Sequence, residues 1–173
     1  MSPDHLDRYN SLDHYYGVKG NVYQNCKTAI LNRQLQRKYL IPKDCSTISF
    51  GLDEPPAASH FGLDGRVICR GRTPLISEED LPIEGEHNVL NCMATLALGE
   101  AVGLEMTSML KNIKSFKGLP HRCELVKKIN GITFYNDSKA TNVSSCIAAI
   151  ESFAQEPVSY THLRAHETGR NLV

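Results

Sequence analysis

The chain has 173 residues, a length suited to one domain or to parts of two. Hydrophobic residues make up 41% of it and charged residues 22%, as in an ordinary soluble globular protein, and the formal net charge of zero gives no indication of a nucleic-acid or acidic-lipid partner. No apolar run approaches membrane-spanning length. The six cysteines form no Cys-x-x-Cys pair, so we expect reduced thiols in a cytoplasmic protein, without a disulfide framework or a zinc site.

The first part of the chain shows short apolar runs at strand or helix spacing, bounded by turn residues. In chain order they predict a helix over 11–25 with Ser11 as N-cap, a strand at 28–32, a short helix over 33–41, a strand at 47–50, a loop over 52–64 and a strand at 66–70. Gly17 and Gly20 lower the helix propensity of the first element.

Two further helices are predicted at 86–102 and 105–115. The first has an apolar stripe of six residues at helical spacing: Val89, Cys92, Met93, Leu96, Ala97 and Ala101. Short strands that alternate with helices indicate an α/β fold. Gly118-Leu119-Pro120 then forms a plausible boundary between two domains.

Beyond this boundary, Asn130-Gly131 lies between two apolar runs, which is a strong signal for a β-hairpin because both turn residues must accept positive φ. The second strand, 132–135, would deliver the polar segment 136–142 to the start of a helix with the apolar stripe Val143, Ile147 and Ile150. Polar loops between a strand end and a helix start bind anionic ligands in many α/β proteins. The alternative is an ordinary loop with a helix cap.

The segments 118–122 (Gly-Leu-Pro-His-Arg) and 136–142 (Asn-Asp-Ser-Lys-Ala-Thr-Asn) together resemble the signature of the D-glutamate-adding members of the Mur ligase family. Segment 4–9 (Asp-His-Leu-Asp-Arg-Tyr), with Lys19 downstream, is similar to the metal-site segment of that family. Segment 86–91 (Glu-His-Asn-Val-Leu-Asn) is similar to its adenine-contacting helix start. The resemblance covers residues 1 to about 157.

The resemblance implies an ATP-dependent ligase that joins D-glutamate to UDP-N-acetylmuramoyl-L-alanine through an acyl phosphate, in peptidoglycan precursor synthesis. It implies ATP and Mg²⁺ as cofactors, a cytoplasmic monomer, and neither nucleic acid nor membrane as partner. It also implies the later part of the central ATPase domain over 1–117 and the start of a Rossmann-like C-terminal domain, a first hairpin and helix, over 118–157.

The resemblance assigns roles to two upstream groups of residues. Lys19, as a carbamate, and His5 would form the metal and catalytic site, since an anionic oxygen ligand suits Mg²⁺. Asn88 and Asn91 would contact adenine, because paired amides both donate and accept hydrogen bonds. The residues alone favour simpler interpretations: a solvated helix lysine for Lys19, a polar loop residue for His5 and an N-cap for Asn88.

The resemblance also assigns roles to the downstream segments. Arg122 would bind ATP phosphates and Asp137 the ribose hydroxyls. Lys139, as a further catalytic residue, and Thr141 would contact D-glutamate or the acyl phosphate, while Ser138 would help to shape the substrate loop. The structural alternatives are a surface lysine in a salt bridge for Lys139 and a helix-capping threonine for Thr141.

The chain also departs from the family pattern. It contains no Gly-x-x-Gly-Lys-Ser/Thr phosphate-binding loop, so we expect an internal fragment without ligase activity of its own. Residues 158–173 resemble an in-frame translation of a sequencing adapter, and we expect them to be an artefact. Two further hypotheses stay open: a non-catalytic nucleotide-binding module, and a related Mur or folylpolyglutamate-type ligase with another amino-acid substrate.

Overall fold

The computed structural model describes residues 9–33, 35, 39–82, 85–141 and 143–151. Predicted features at His5, at Asn142 and over 158–173 lie outside these residues. The helices are α1 Leu12–Gly20, α2 Glu86–Ala101, α3 Met106–Ser115 and α4 Val143–Glu151. The strands are β1 Thr28–Asn32, β2 Ser46–Phe50, β3 Phe61–Asp64, β4 Val67–Arg70, β5 Thr73–Ser77, β6 Glu124–Ile129 and β7 Ile132–Asn136. This mixture confirms the predicted α/β class.

The strands form three small sheets. β1 and β2 pair in parallel, β3, β4 and β5 form an antiparallel sheet in that order, and β6 and β7 form an antiparallel hairpin. We call residues 9–116 the core unit and residues 118–151 the hairpin unit. No helix among the described residues has the length and apolar character needed to cross a membrane.

The core unit is built around α2. One face of this helix packs against the sheet of β3–β5, with partly buried residues of β1, β2 and α3 at the edges. The side chains of Phe61, Ile68, Met93 and Leu96 are fully buried. The predicted apolar stripe of α2 is thus confirmed at five positions, but Ala101 is exposed because it is the last residue of the helix and lies beyond the sheet.

The end of α2 fixes the position of α3. Gly103 has φ +82°, and the N–H groups of Gly103 and Leu104 donate to the carbonyls of Glu100 and Gly99, both at 2.9 Å. These two hydrogen bonds together form a Schellman motif, which ends a helix and reverses the direction of the chain. A Cβ on Gly99 would lie 2.1 Å from Met109 Sδ, so the two helices approach closely only because residue 99 has no side chain.

A polar cluster joins the end of β1 to the segment before β3, with the Arg33 side chain 12% exposed and the Asp53 side chain 68% exposed. The Arg33 guanidinium donates to both carboxylate oxygens of Asp53 through Nε, at 2.9 and 3.0 Å, and to the Phe61 carbonyl through Nη1 at 2.8 Å. The ring Nδ1 of His60 lies 2.8 Å from the Ser49 N–H, which donates to it. These bonds fasten the carboxyl ends of β1 and β2 to the antiparallel sheet.

Several predicted boundaries were wrong. The helix predicted over 11–25 ends at Gly20 and continues only as a 3-10 turn over Asn21–Tyr23, as two glycines weaken it, although Ser11 does cap it by accepting from the His14 N–H. The described residues of 33–41 lie in turns and irregular segments instead of a helix. The last four residues of the loop predicted over 52–64 form β3. β5 was not predicted, because Pro74 lacks the N–H of a normal strand residue.

Candidate active site

The hairpin positions the candidate site. Asn130 and Gly131 have φ values of 49° and 82°, as the predicted turn requires, and Ile129 pairs with Ile132 across it. The same register places Glu124 opposite Asn136 at the open end of the hairpin. The loop that leaves β7 therefore begins beside the segment that enters β6.

Three hydrogen bonds join these two segments. The Lys139 N–H donates to the His121 carbonyl at 3.1 Å, and the Cys123 N–H donates to Asp137 Oδ1 at 3.1 Å. The Asn136 side-chain amide lies 2.9 Å from His121 Nδ1. Two of the three bonds use main-chain groups of segment 118–123, so the path of that segment sets the position of the loop.

The loop is also ordered internally. The Asn136 side-chain oxygen accepts from the Ser138 N–H at 3.2 Å, which is an Asx-turn. The N–H groups of Ala140 and Thr141 donate to the carbonyls of Asp137 and Lys139, both at 2.9 Å. Main-chain bonds within the loop thus leave the side chains at 138, 139 and 141 exposed to solvent.

The segment before β6 has an unusual backbone. His121 and Cys123 have φ values of 65° and 45°, in the left-handed region that side-chain-bearing residues rarely adopt. Such conformations concentrate at ligand-binding sites, where the surrounding structure holds them. Here the bonds to the loop hold them, and Arg122 lies between the two on the exposed surface.

The charges of the loop are mixed. Arg122 and Lys139 supply positive charge and Asp137 supplies negative charge within one pair of segments. Burial, with the nearby Asp137 carboxylate as a second cause, raises the pKa of the Cys123 thiol. What Cys123 contributes to the site is its main-chain N–H, which donates to Asp137.

Asn88 and Asn91 lie near the start of α2. The N-cap of this helix is Gly85, at φ 102°, so the alternative interpretation of Asn88 as the N-cap is wrong. Asn88 is the third helical residue and is half-buried, while Asn91 is exposed one turn later on the same face. Two side-chain amides at positions i and i+3 can both form hydrogen bonds with the edge of one planar ring.

Lys19 lies in the last turn of α1 and is exposed. Its Nζ lies 5.6 Å from the centroid of the Tyr15 ring, within the range of a cation–π contact. Within the described part of the chain there is no group of three or more His, Cys, Asp or Glu residues that could hold a metal ion. His5, the predicted partner of Lys19, lies outside that part.

An open groove of about 550 Å³ runs along α1. Its walls come from α1, the following turn and Leu40, including Tyr16, Gly20 and Gln24. The loop at 136–141 lies on a different element. The groove is therefore a separate feature of the surface, and it carries no part of the predicted site.

The sequence did not single out His121 and Cys123 as site residues, yet their main-chain groups hold the loop in place. Their position in the sequence could have indicated that they belong to the site. Both flank Arg122 directly after a Gly-Leu-Pro segment, where an irregular backbone is common. The hydrogen-bond partners themselves follow only from the hairpin register.

The fold and the loop define a class of protein: an α/β protein with a polar, cation-bearing loop between a strand and a helix. Residues 1–99 match the family model described as the Mur ligase middle domain. This match covers more than half of the chain, and the chain belongs to the Mur ligase family.

Curated relatives agree with this assignment. The chain is 46% identical over 157 residues to the UDP-N-acetylmuramoylalanine–D-glutamate ligase of Acinetobacter baylyi, covering 87% of the chain and 35% of the relative. It is 42% identical over 158 residues to the enzyme of the same name from Nitrosococcus oceani, covering 87% and 34%. The chain thus spans about a third of the length of the relatives it matches.

Solved structures show the same fold. The crystal structure of MurF from Acinetobacter baumannii superposes with a TM-score of 0.68 at 20% identity, over 88% of this chain and 35% of that one. A structure of the UDP-N-acetylmuramoyl-L-alanyl-D-glutamate–2,6-diaminopimelate ligase gives 0.57 at 22% identity, over 74% and 29%. At these identities the likeness concerns the fold alone.

Proposed function

We propose that this sequence forms part of a ligase that uses ATP to join D-glutamate to UDP-N-acetylmuramoyl-L-alanine. The observation that carries the proposal is the loop 136–141, which hydrogen bonds to segment 118–123 and so groups Arg122, Asp137 and Lys139 at one end of the hairpin. The relatives that are 46% and 42% identical to this chain carry the name of that ligase.

We assign a different function to each of the two units. We assign residues 1–117 to the nucleotide-binding central domain and 118–157 to the start of the domain that receives glutamate. Support comes from packing: α2, β1–β5 and α3 share one apolar cluster, which the hairpin strands do not enter among the described residues.

The chemistry requires the neutralisation of phosphate charge and the placement of an amine beside an activated carbonyl. In the proposed reaction, a substrate carboxylate oxygen attacks the γ-phosphorus of ATP and ADP leaves. The amine of D-glutamate then attacks the acyl carbon, and inorganic phosphate leaves as the amide bond forms.

Arg122 and Asp137 are assigned to the nucleotide. The planar guanidinium of Arg122 can donate two parallel bonds to phosphate oxygens. Asp137 keeps one carboxylate oxygen on the Cys123 N–H, and the other can accept from ribose hydroxyls. The half-buried Asn88 and the exposed Asn91 are assigned to the adenine edge.

Lys139 and Thr141 are assigned to D-glutamate and to the acyl phosphate. Both side chains are exposed while their main-chain N–H groups are used within the site, so the side chains project from an ordered loop. The lysine ammonium supplies charge for a carboxylate and the threonine hydroxyl supplies a directional bond. Ser138 shapes the loop through its N–H bond to Asn136.

Lys19 and His5 are assigned to Mg²⁺. A lysine ammonium does not bind a cation, but its carbamate offers the oxygen atoms that Mg²⁺ prefers. The carbamate forms when the amine of the lysine side chain reacts with carbon dioxide. The metal, when bound, would neutralise phosphate charge.

The test replaces the matched third of the Acinetobacter baylyi relative with this chain's residues, and then introduces Lys139→Ala. We expect the KM for D-glutamate to rise at least tenfold while the affinity for ATP changes little. Lys128→Ala, on the exposed surface of β6, is the matched control and should leave both unchanged. Unchanged D-glutamate kinetics in Lys139→Ala would refute the role assigned to Lys139.

A second candidate function, a non-catalytic nucleotide-binding module, is favoured for the isolated chain by the absence of a Gly-x-x-Gly-Lys-Ser/Thr segment in its sequence. We expect the 173-residue chain alone to show no D-glutamate-dependent ATP hydrolysis. Measurable turnover by the chain alone would contradict that expectation.

A further inference from the structure

Two of the six cysteines lie side by side at the start of the parallel sheet. Cys26 comes two residues before β1 and Cys45 one residue before β2, and the register pairs Thr28 with Ser46. The sulfur atoms of Cys26 and Cys45 are 2.8 Å apart. This proximity follows from strand pairing, since the two residues are far apart along the chain.

The main chain on both sides holds the two cysteines in place. The Ser46 N–H and hydroxyl both donate to the Lys27 carbonyl, at 3.0 and 2.9 Å, which joins the residues that follow the cysteines. The Cys26 N–H donates to the Tyr23 carbonyl at 3.4 Å, and the Cys45 N–H to the Pro42 carbonyl at 3.1 Å. These bonds fix the main chain on both sides of the pair while the two sulfur atoms lie side by side.

The pair is suited to a covalent bond. A disulfide has a sulfur–sulfur distance of about 2.05 Å, so closure requires a movement of less than about 1 Å. Both thiols are half-buried, whereas Cys69 and Cys92 are buried. The hydrogen bond with Cys26 raises the pKa of the Cys45 thiol, and burial raises the pKa of Cys92 to about 11. An oxidant in solution therefore reaches Cys26 and Cys45 more readily than the thiols of the core.

We propose that Cys26 and Cys45 form an oxidative modification site, at which a peroxide converts the two thiols into a disulfide. The thiolate of one cysteine attacks a peroxide oxygen, the O–O bond breaks, and a sulfenic acid forms with the release of one water after protonation. The thiolate of the other cysteine attacks that sulfur and releases the second water. Two thiols and one hydrogen peroxide thus give one disulfide and two waters.

The bond would close a loop of about 20 residues that contains β1 and the connection to β2. Its main effect would be to restrict the unfolded chain, which raises the thermal midpoint by roughly 5–10 °C for a loop and a chain of this size. The modification is independent of the ligase function proposed above, because it rests on the core unit alone.

The experiment treats the full 173-residue chain with one equivalent of hydrogen peroxide at about pH 8.5, where thiolates are available. We expect the intact mass to fall by two hydrogen atoms. A tryptic digest without reduction should yield one dominant linked species that joins peptides 20–27 and 44–66. In guanidinium chloride, the same treatment should give a mixture of linkages.

Variants identify the partners. Cys26→Ser and Cys45→Ser should each abolish the linked species and the rise in thermal midpoint, whereas Cys123→Ser, at another half-buried cysteine, should retain both. Because the peptide map uses the unaltered chain, the test does not depend on the folding of any variant. A linkage between other cysteines, no linkage, or the same selectivity in denaturant would overturn the proposal.

Discussion

The core unit and the hairpin unit form regular secondary structure in equal measure, but they differ in what their apolar residues do. In the core unit Phe61, Ile68 and Leu96 are 0% exposed. In the hairpin unit all six residues of β6 are exposed, and Phe134 and Ile147 are 47% and 48% exposed. Local sequence is enough to form a hairpin and a helix, whereas burial requires a second layer against which they can pack.

The two units also use different bonds to hold the ends of their strands. In the core unit the Arg33 side chain joins β1 to Asp53 and to the Phe61 carbonyl. In the hairpin unit main-chain N–H groups of Lys139 and Cys123 carry two of the joining bonds. Side-chain replacement should therefore disturb the first unit more than the second.

The largest expected effect concerns burial within one helix. Leu96→Ala removes a fully buried side chain and should lower the free energy of unfolding by about 2–5 kcal/mol, since it leaves a cavity beside Phe61 and Met93. Urea denaturation followed by circular dichroism measures the change. Leu98→Ala, two residues away at 56% exposure, is the control and should cost less than about 1 kcal/mol. Equal losses in the two variants would show that the α2 core is not packed as described.

The next effect tests the side-chain bonds of the core unit. Arg33→Leu leaves the Phe61 carbonyl and the Asp53 carboxylate without their donor and should cost about 1–3 kcal/mol in denaturant unfolding. The matched ion pair is Lys114–Asp80, in which both side chains are 52% exposed, and Lys114→Ala should cost about 0–1 kcal/mol. Similar costs for both would mean that burial adds nothing to the Arg33 bonds.

A pair of glycine substitutions compares the backbones of the two units. Gly131→Ala places a side chain at φ 82° and should destabilise the hairpin by about 1–2 kcal/mol, seen as loss of cross-strand amide protection in hydrogen exchange. Gly17→Ala, in the middle of α1 with nothing near the added Cβ, should instead stabilise the core unit by about 0.5–1 kcal/mol. Opposite signs are the expected result, and a stabilising Gly131→Ala would contradict the turn.

The smallest effect is a pH dependence confined to the core unit. Burial, and then the charge of Arg33, lower the pKa of His60 from 6.5, so the unfolded chain binds a proton more readily than the folded one. The contribution of neutral His60 to the free energy of unfolding is therefore fully present above pH 6.5, and it is lost as the pH falls through the pKa of His60 in the folded state. His60→Asn, which keeps an acceptor for the Ser49 N–H, should flatten the stability profile in that window. An unchanged profile would argue against the burial of His60.

Much of the fold could be predicted from the sequence because the longer elements carry their own periodicity. α2, α3 and β1 were predicted to within a few residues, and Asn130-Gly131 predicted the hairpin turn. β3 and β5 were missed because they are short and contain Gly62 and Pro74. A Cβ on Gly62 would lie 2.2 Å from the Asp53 carbonyl oxygen, a tertiary constraint that no local pattern reveals.

For the candidate site, the sequence predicted which residues share a loop but not how the loop is held. The grouping of Asp137, Ser138, Lys139 and Thr141 followed from the strand end and helix start. The bonds from the loop to the His121 carbonyl and the Cys123 N–H depend on the register of β6 with β7 and on left-handed backbone at 121 and 123. Register and backbone conformation are set by the folded hairpin.

The bond from the Lys139 N–H to the His121 carbonyl requires only a main-chain amide at position 139. Every amino acid except proline supplies one, so the loop can keep its path whatever side chain it presents. A single codon change can therefore replace the exposed side chain at position 139 and leave this hydrogen bond in place. The path of the loop and the chemistry of its surface are in this sense specified separately, one by the main chain and the other by the side chains.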